Sequence, residues 1–240
     1  MGLLALAIAP GIVICLFIYI KDKYDHEPLY LLLLAFVLGV FSIIPALIIE
    51  LVVGKSISEM MTGSVLYTAI YAYLIVGLSE EGSKFIVLRS FAYPRKSFSN
   101  PFDGILFSVM IGMGFATIEN IGYVLQHGFS TGIVRMFLSV PGHATFAILM
   151  GYYVSLAKYD ATKRGWYFFL AIFWAVIFHG TFDFFLFRGT TLLHILGALA
   201  SFIIAVKLSL RAIRRKQLLS QRYTEGNDSI EEEEHSLFRK

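Results

Sequence analysis

Apolar runs of roughly twenty residues alternate with short polar connections along most of the chain. They fall at about 2–20, 29–52, 64–91, 102–126, 133–157, 166–187 and 191–210. Each is long enough to cross about 30 Å of hydrocarbon at a rise of about 1.5 Å per residue. No water is present there to satisfy backbone amides, so runs of this kind must be helical. The pattern predicts an all-α fold, a polytopic membrane bundle of about seven transmembrane helices filling residues 1–210. From about Arg211 the chain turns polar and reaches Glu231-Glu232-Glu233-Glu234 near its end. Residues 211–240 are therefore expected to form a polar cytoplasmic tail, disordered or amphipathic. No internal repeat is visible.

Composition sharpens this picture. The 240 residues are 57% hydrophobic and 15% charged, which leaves no room for a sizeable soluble domain. The single cysteine, Cys15, excludes an intramolecular disulfide. A net charge of +3 is no nucleic-acid signature, because the basic residues cluster at the ends of apolar runs. One set of connections carries Lys21, Lys23, Arg95, Lys96, Lys158, Lys163 and Arg164, followed by Arg211, Arg214, Arg215 and Lys216. The other set carries little beyond Lys55, Arg135 and Arg188. The positive-inside rule then places the N-terminus outside and the C-terminus in the cytoplasm. The first run lacks a basic leader and an obvious cleavage site, so it is expected to stay as a span.

Chemistry enters with the polar residues inside the runs. The third run holds Glu80, Glu81 and Lys84. Each costs about 2.5–3.5 kcal/mol at the centre of a spanning helix, so these residues must face protein or a wet cavity. Glu80 and Lys84 are four apart and can pair, with the lysine balancing charge, while Glu81 points elsewhere for its partner. The fourth run repeats Gly104, Ser108, Gly112 and Ala116 every four residues, a packing stripe, and then carries Glu119. In the fifth, Pro141 is expected to kink the helix and open space beside His143. In the sixth, His179 and Asp183 lie one turn apart, so the carboxylate can fix the imidazole's tautomer. All these groups fall near one depth, slightly toward the extracytoplasmic half.

Two carboxylates with imidazoles can hold a water, take its proton and stabilise an oxyanion, which hydrolyses a peptide without a covalent nucleophile. The same groups can ligate zinc, although no His-Glu-x-x-His is present. No cofactor is required by this reading, and zinc remains the alternative. A proton-coupled transporter or a non-catalytic membrane scaffold would also use buried acids and histidines, but the repeats and paired broken helices of transporters are missing.

Taken together, Glu80-Glu81-x-x-Lys84, Phe115-x-x-x-Glu119, His143 and His179-x-x-x-Asp183 resemble the PrsW intramembrane proteases. Ala9-Pro10-Gly11, the segment Lys21 to Pro28, Asp103-Gly104-Ile105 and Gly114-Phe115-Ala116-Thr117-x-Glu119-Asn120 share the likeness, which covers residues 1–210. The resemblance implies a multi-pass endopeptidase of the bacterial cell membrane. It would make the first, site-1 cut in a single-pass anti-sigma factor on its extracytoplasmic side. A CAAX-type processing protease is the neighbouring alternative, but that superfamily has Glu-Glu-x-x-x-Arg and Phe-x-x-x-His where this chain has Lys84 and Glu119. On this reading the catalytic set is Glu80, Glu81, Glu119, His143, His179 and Asp183. Glu80 or Glu81 is the general base and Glu119 holds the water or a proton shared with that acid. His179 with Asp183 polarises the scissile carbonyl, and His143 orients either. The expected partners are the substrate and the bilayer, with no nucleic acid.

Overall fold

A computed structural model describes residues 2–54, 64–189 and 191–226. Among these residues every regular element is helical. Helix α1 spans Gly2–Lys21, and α2 (Leu29–Phe41) and α3 (Ile43–Ile49) form one rod that ends in a wide turn at Glu50–Gly54. The break at Ser42 has a local cause, since Pro45 cannot donate to the preceding turn. A second rod comprises α4 (Val65–Ile70), a wide segment Tyr71–Gly77, α5 (Leu78–Val87) and a wide turn Leu88–Ala92. Then follow α6 (Asp103–Phe137), α7 (Ser139–Tyr159), α8 (Arg164–Arg188) and α9 (Leu192–Thr224). Five stretches are long and apolar enough to cross a membrane, and one of them, Asp103–Tyr159, contains both α6 and α7. The rod from Val65 carries Glu80, Glu81, Lys84 and Arg89, the charges that set it apart.

Helix α6 is the axis of the bundle. Every residue from Asp103 to Thr117 is buried, and α1, α2 and α7 all pack on it. The small-residue stripe makes this approach possible. A methyl group on Gly104 would strike the carbonyl of Gly151, and one on Gly112 would come within 2.8 Å of the Ala147 Cβ, so α7 runs antiparallel against α6. Gly114 meets the backbone at Phe36 in the same way, which seats α2. The peripheral helices leave Val13, Leu33, Leu51 and Leu192 exposed, as a lipid-facing surface requires.

Two local expectations change. Pro141 lies in the first turn of α7, where a missing N–H leaves no bond unmade, and it starts the helix instead of kinking it. Helix α9 does not stop where its hydropathy falls near 210. It continues to Thr224, burying Ile213, Lys216 and Leu219, and Gln217 donates to the Lys21 carbonyl at 2.6 Å. The acidic run 231–234 lies outside the described residues, as does Lys55.

At the Lys21 end, Asp22 is 1% exposed and neither of its oxygens has a hydrogen-bond partner. Burial, then the nearby Asp25 and Glu27, push its carboxyl up to about 7. Burial likewise pushes Glu27 up to about 7, against the opposing pull of Ser97 and Arg95.

Candidate active site

The acidic pair sits on α5 just after the wide segment Tyr71–Gly77, a type of turn common beside functional sites. Glu80 and Glu81 are 4% and 1% exposed. Lys84 donates to Glu80 Oε2 at 3.1 Å and to Glu81 Oε1 at 2.8 Å. Spacings of four and three residues both bring side chains together on a helix, so the lysine bridges the two acids rather than serving Glu80 alone. Its ammonium also lies 3.8 Å above the Phe115 ring.

The two histidines each turn Nδ1 toward this group, one to Glu81 and the other to Lys84. His179 Nδ1 is 2.9 Å from Glu81 Oε1, and its Nε2 is 3.2 Å from Asp183 Oδ2. His143 Nδ1 is 3.2 Å from Lys84 Nζ, and its Nε2 is 3.0 Å from Glu119 Oε2. An ammonium only donates, so His143 Nδ1 accepts and Nε2 carries the proton given to Glu119. Each ring is thus held at Nε2 by a carboxylate, while Nδ1 meets Glu81 in His179 and Lys84 in His143. The helical spacing of His179 and Asp183 provides the first of these contacts. The second comes from the antiparallel packing of α6 on α7.

Glu119 is linked to the acidic pair through hydrogen bonds, from its Oε2 to His143 Nε2 and from His143 Nδ1 to Lys84, which bonds both Glu80 and Glu81. Arg135 covers Glu119 from the other side, with Nη2 2.7 Å from Oε2. The site opens into a cavity of about 340 Å³ lined by Glu80, Glu119, His143, His179 and Asp183 and by apolar side chains such as Leu47 and Phe187. Two further charged residues line it, and the sequence reading gave neither a role at the site. Arg135 is assigned there to topology alone. Glu50 is an ionisable residue within the apolar run 43–53, the same signal that singles out Glu80. Its carboxylate has no hydrogen-bond partner among the described residues.

A helical bundle with five membrane-length stretches, and with buried carboxylates and imidazoles around a cavity, defines a polytopic membrane protein with a hydrolytic type of centre. A family described as "PrsW family intramembrane metalloprotease" matches residues 27–209. "Protease PrsW" of Geobacillus kaustophilus is 36% identical over 182 residues, 76% of this chain and 78% of the relative. "Protease PrsW" of Bacillus subtilis is 35% identical over 186 residues, 77% and 83% of the two chains, and that of Clostridioides difficile 36% over 193 residues, 78% and 79%. The chain belongs to the PrsW family of intramembrane metalloproteases and is a membrane-embedded peptidase. No solved structure matches it significantly.

The family description implies a metal, and the residues present fit one. Ligand atoms of Glu80, Glu81, His143 and His179 all lie within 4.8 Å of one another, and all four residues are buried. Two carboxylates and two imidazoles form a donor set suited to zinc. Glu81 Oε2 is buried without a partner. Each histidine also gives its second nitrogen to a carboxylate, the outer-sphere pattern that orients metal-bound imidazoles.

Proposed function

We propose that this protein makes the first, extracytoplasmic cut in a single-pass membrane protein, with an anti-sigma factor as the expected substrate class. The observation that carries the reading is the buried Glu80, Glu81, His143 and His179 cluster opening onto the cavity. The cavity's apolar lining suits an extended peptide drawn from an apolar segment. The Lys and Arg distribution supports a cytoplasmic C-terminus and a site toward the opposite face.

In this mechanism three of Glu80, Glu81, His143 and His179 would hold a divalent ion such as zinc, which would supply a Lewis acid and acidify a water toward neutral pH. The chain's own groups do the remaining work. The carboxylate of the Glu80/Glu81 pair left free by the ion would take a water's proton while Lys84, within bonding distance of both acids, balances the change in charge. Asp183 and Glu119 keep the rings of His179 and His143 from rotating. Glu80, Glu81, Lys84, His143 and His179 are all buried, which strengthens the charge interactions among them.

Reconstitution in proteoliposomes with a single-pass anti-sigma factor tests the assignment, with mass spectrometry of the products locating the cut. Cleavage on the extracytoplasmic side of the substrate span, lost by at least 100-fold in Glu81→Gln with insertion unchanged, is the expected result. A cut on the cytoplasmic side, or full activity in Glu81→Gln, would overturn it.

A further inference from the structure

The run Asp103–Phe137 is not one straight helix. Gly128 has φ 81° and ψ −164°, a conformation that side chains disfavour, and the chain turns back there. The consequence is visible at Arg135. It lies sixteen residues beyond Glu119, about 24 Å along a continuous helix, yet its Nη2 is 2.7 Å from Glu119 Oε2. The reversal has brought a guanidinium from the far end of the segment back to the level of the site.

Arg135 is held there at several points. Its Nε donates to Asn120 Oδ1 at 3.0 Å, and the guanidinium carbon lies 3.9 Å above the Tyr123 ring. Asn120 is fully buried, and its amide nitrogen donates to the Ala7 carbonyl at 3.0 Å, which fixes its oxygen toward Arg135. One edge of the guanidinium therefore contacts two neighbouring acceptors, Asn120 and Glu119, whose positions are set independently. The planar fork of an arginine suits this, and the point charge of a lysine does not.

We propose that Arg135 is a positioning residue for the peptidase centre, acting through Glu119 on His143. Glu119 Oε2 receives Arg135 on one side and His143 Nε2 on the other. With Arg135 in place the carboxylate stays where it accepts the Nε2 proton, so His143 keeps Nδ1 on Lys84, which bridges Glu80 and Glu81. Without Arg135, Glu119 is free to swing toward Lys84 or the cavity and take the ring with it. Among the described residues no guanidinium caps the carboxylate behind His179, and Asp183 is placed by its own helix one turn away. His143 needs the cap because its carboxylate belongs to a different helix.

The inference rests on the metallopeptidase reading above, and its test separates the two. Wild type, Arg135→Gln, Glu119→Gln and the double variant are compared in detergent. The readouts are kcat and KM on a single-pass substrate and, separately, zinc affinity by competition with a chromophoric chelator. Arg135→Gln is expected to lower kcat and zinc affinity by about 10- to 100-fold with KM little changed. The double variant should be no worse than the poorer single, because both changes cut one path. Arg135→Lys keeps the charge near Tyr123 but offers one nitrogen where the guanidinium places Nε and Nη2 in a planar fork, so it should fold as wild type and still fall about tenfold in kcat. Wild-type kcat in Arg135→Lys, or losses that multiply in the double variant, would overturn the assignment. A wild-type enzyme that cleaves without binding zinc would remove the metal reading alone, and the cycle on kcat would still decide Arg135.

Discussion

Replacing Lys84 with methionine keeps length and apolar volume while removing the one ammonium shared by Glu80 and Glu81. The two contacts, 3.1 and 2.8 Å, correspond to gross attractions of about 5 and 6 kcal/mol at an effective dielectric constant of about 20. Most of that is offset by the desolvation of three buried charges, so the whole sum is not the cost of the substitution. What remains is the penalty for leaving two carboxylates buried without their cation, about 3–5 kcal/mol as for other broken buried pairs. Loss of the contact above Phe115 adds a smaller amount. Thermal unfolding of the purified protein in mild detergent should show a lower Tm, by on the order of 10 °C. Lys84→Arg should recover much of the difference. Zinc added to Lys84→Met should raise its Tm more than that of wild type, because a divalent ion restores positive charge between the same acids. This outcome is harsher than expected of a lysine that only balances Glu80. If Lys84→Met melts with wild type and cleaves at the wild-type rate, the bridging role deduced from these distances is wrong.

Glu50→Gln should lower cleavage by about tenfold while leaving Tm unchanged, because the carboxylate lines the cavity and bonds to nothing among the described residues; an unaltered rate would make Glu50 a bystander. Gly104→Ala should destabilise the bundle by about 1–3 kcal/mol, since the added methyl meets the Gly151 carbonyl, which is backbone and cannot rotate away; an unchanged Tm would contradict that packing. The folded-state carboxyls of Asp22 and Glu27 lie near 7, above their unfolded values near 4. The native chain therefore holds extra protons between those limits, and the stability this contributes is present at acid pH and lost as pH rises through about 7. Asp22→Asn should flatten the fall in Tm between about pH 5 and about pH 8 relative to wild type, and an identical slope would refute the assignment.

The hydrophobic pattern alone determined the class of the molecule. A chain whose backbone must satisfy itself in hydrocarbon has helices as its option here, and the apolar runs show within a few residues where they begin, though not where α6 and α9 end. The cost of burying charge marked Glu80, Glu81, Glu119, His143, His179 and Asp183, because such residues persist in apolar runs only when something meets them. Helical spacing was enough for His179 with Asp183, a contact made within one helix. It was not enough for Lys84, which two spacings allow to reach either acid, and which the fold lets reach both.

Contacts between elements were decided by tertiary structure. Periodicity gives the face of a residue on its own helix but not how far that helix is turned, where it breaks, or whether the chain doubles back. So His143 came to stand between Glu119 and the acidic pair, and Pro141 to begin a helix rather than bend one. The reversal at Gly128 carried Arg135 from a place read as a membrane border to the carboxylate it covers. A single glycine with positive φ moves that guanidinium by about 20 Å relative to a straight helix, and no hydropathy pattern records the difference.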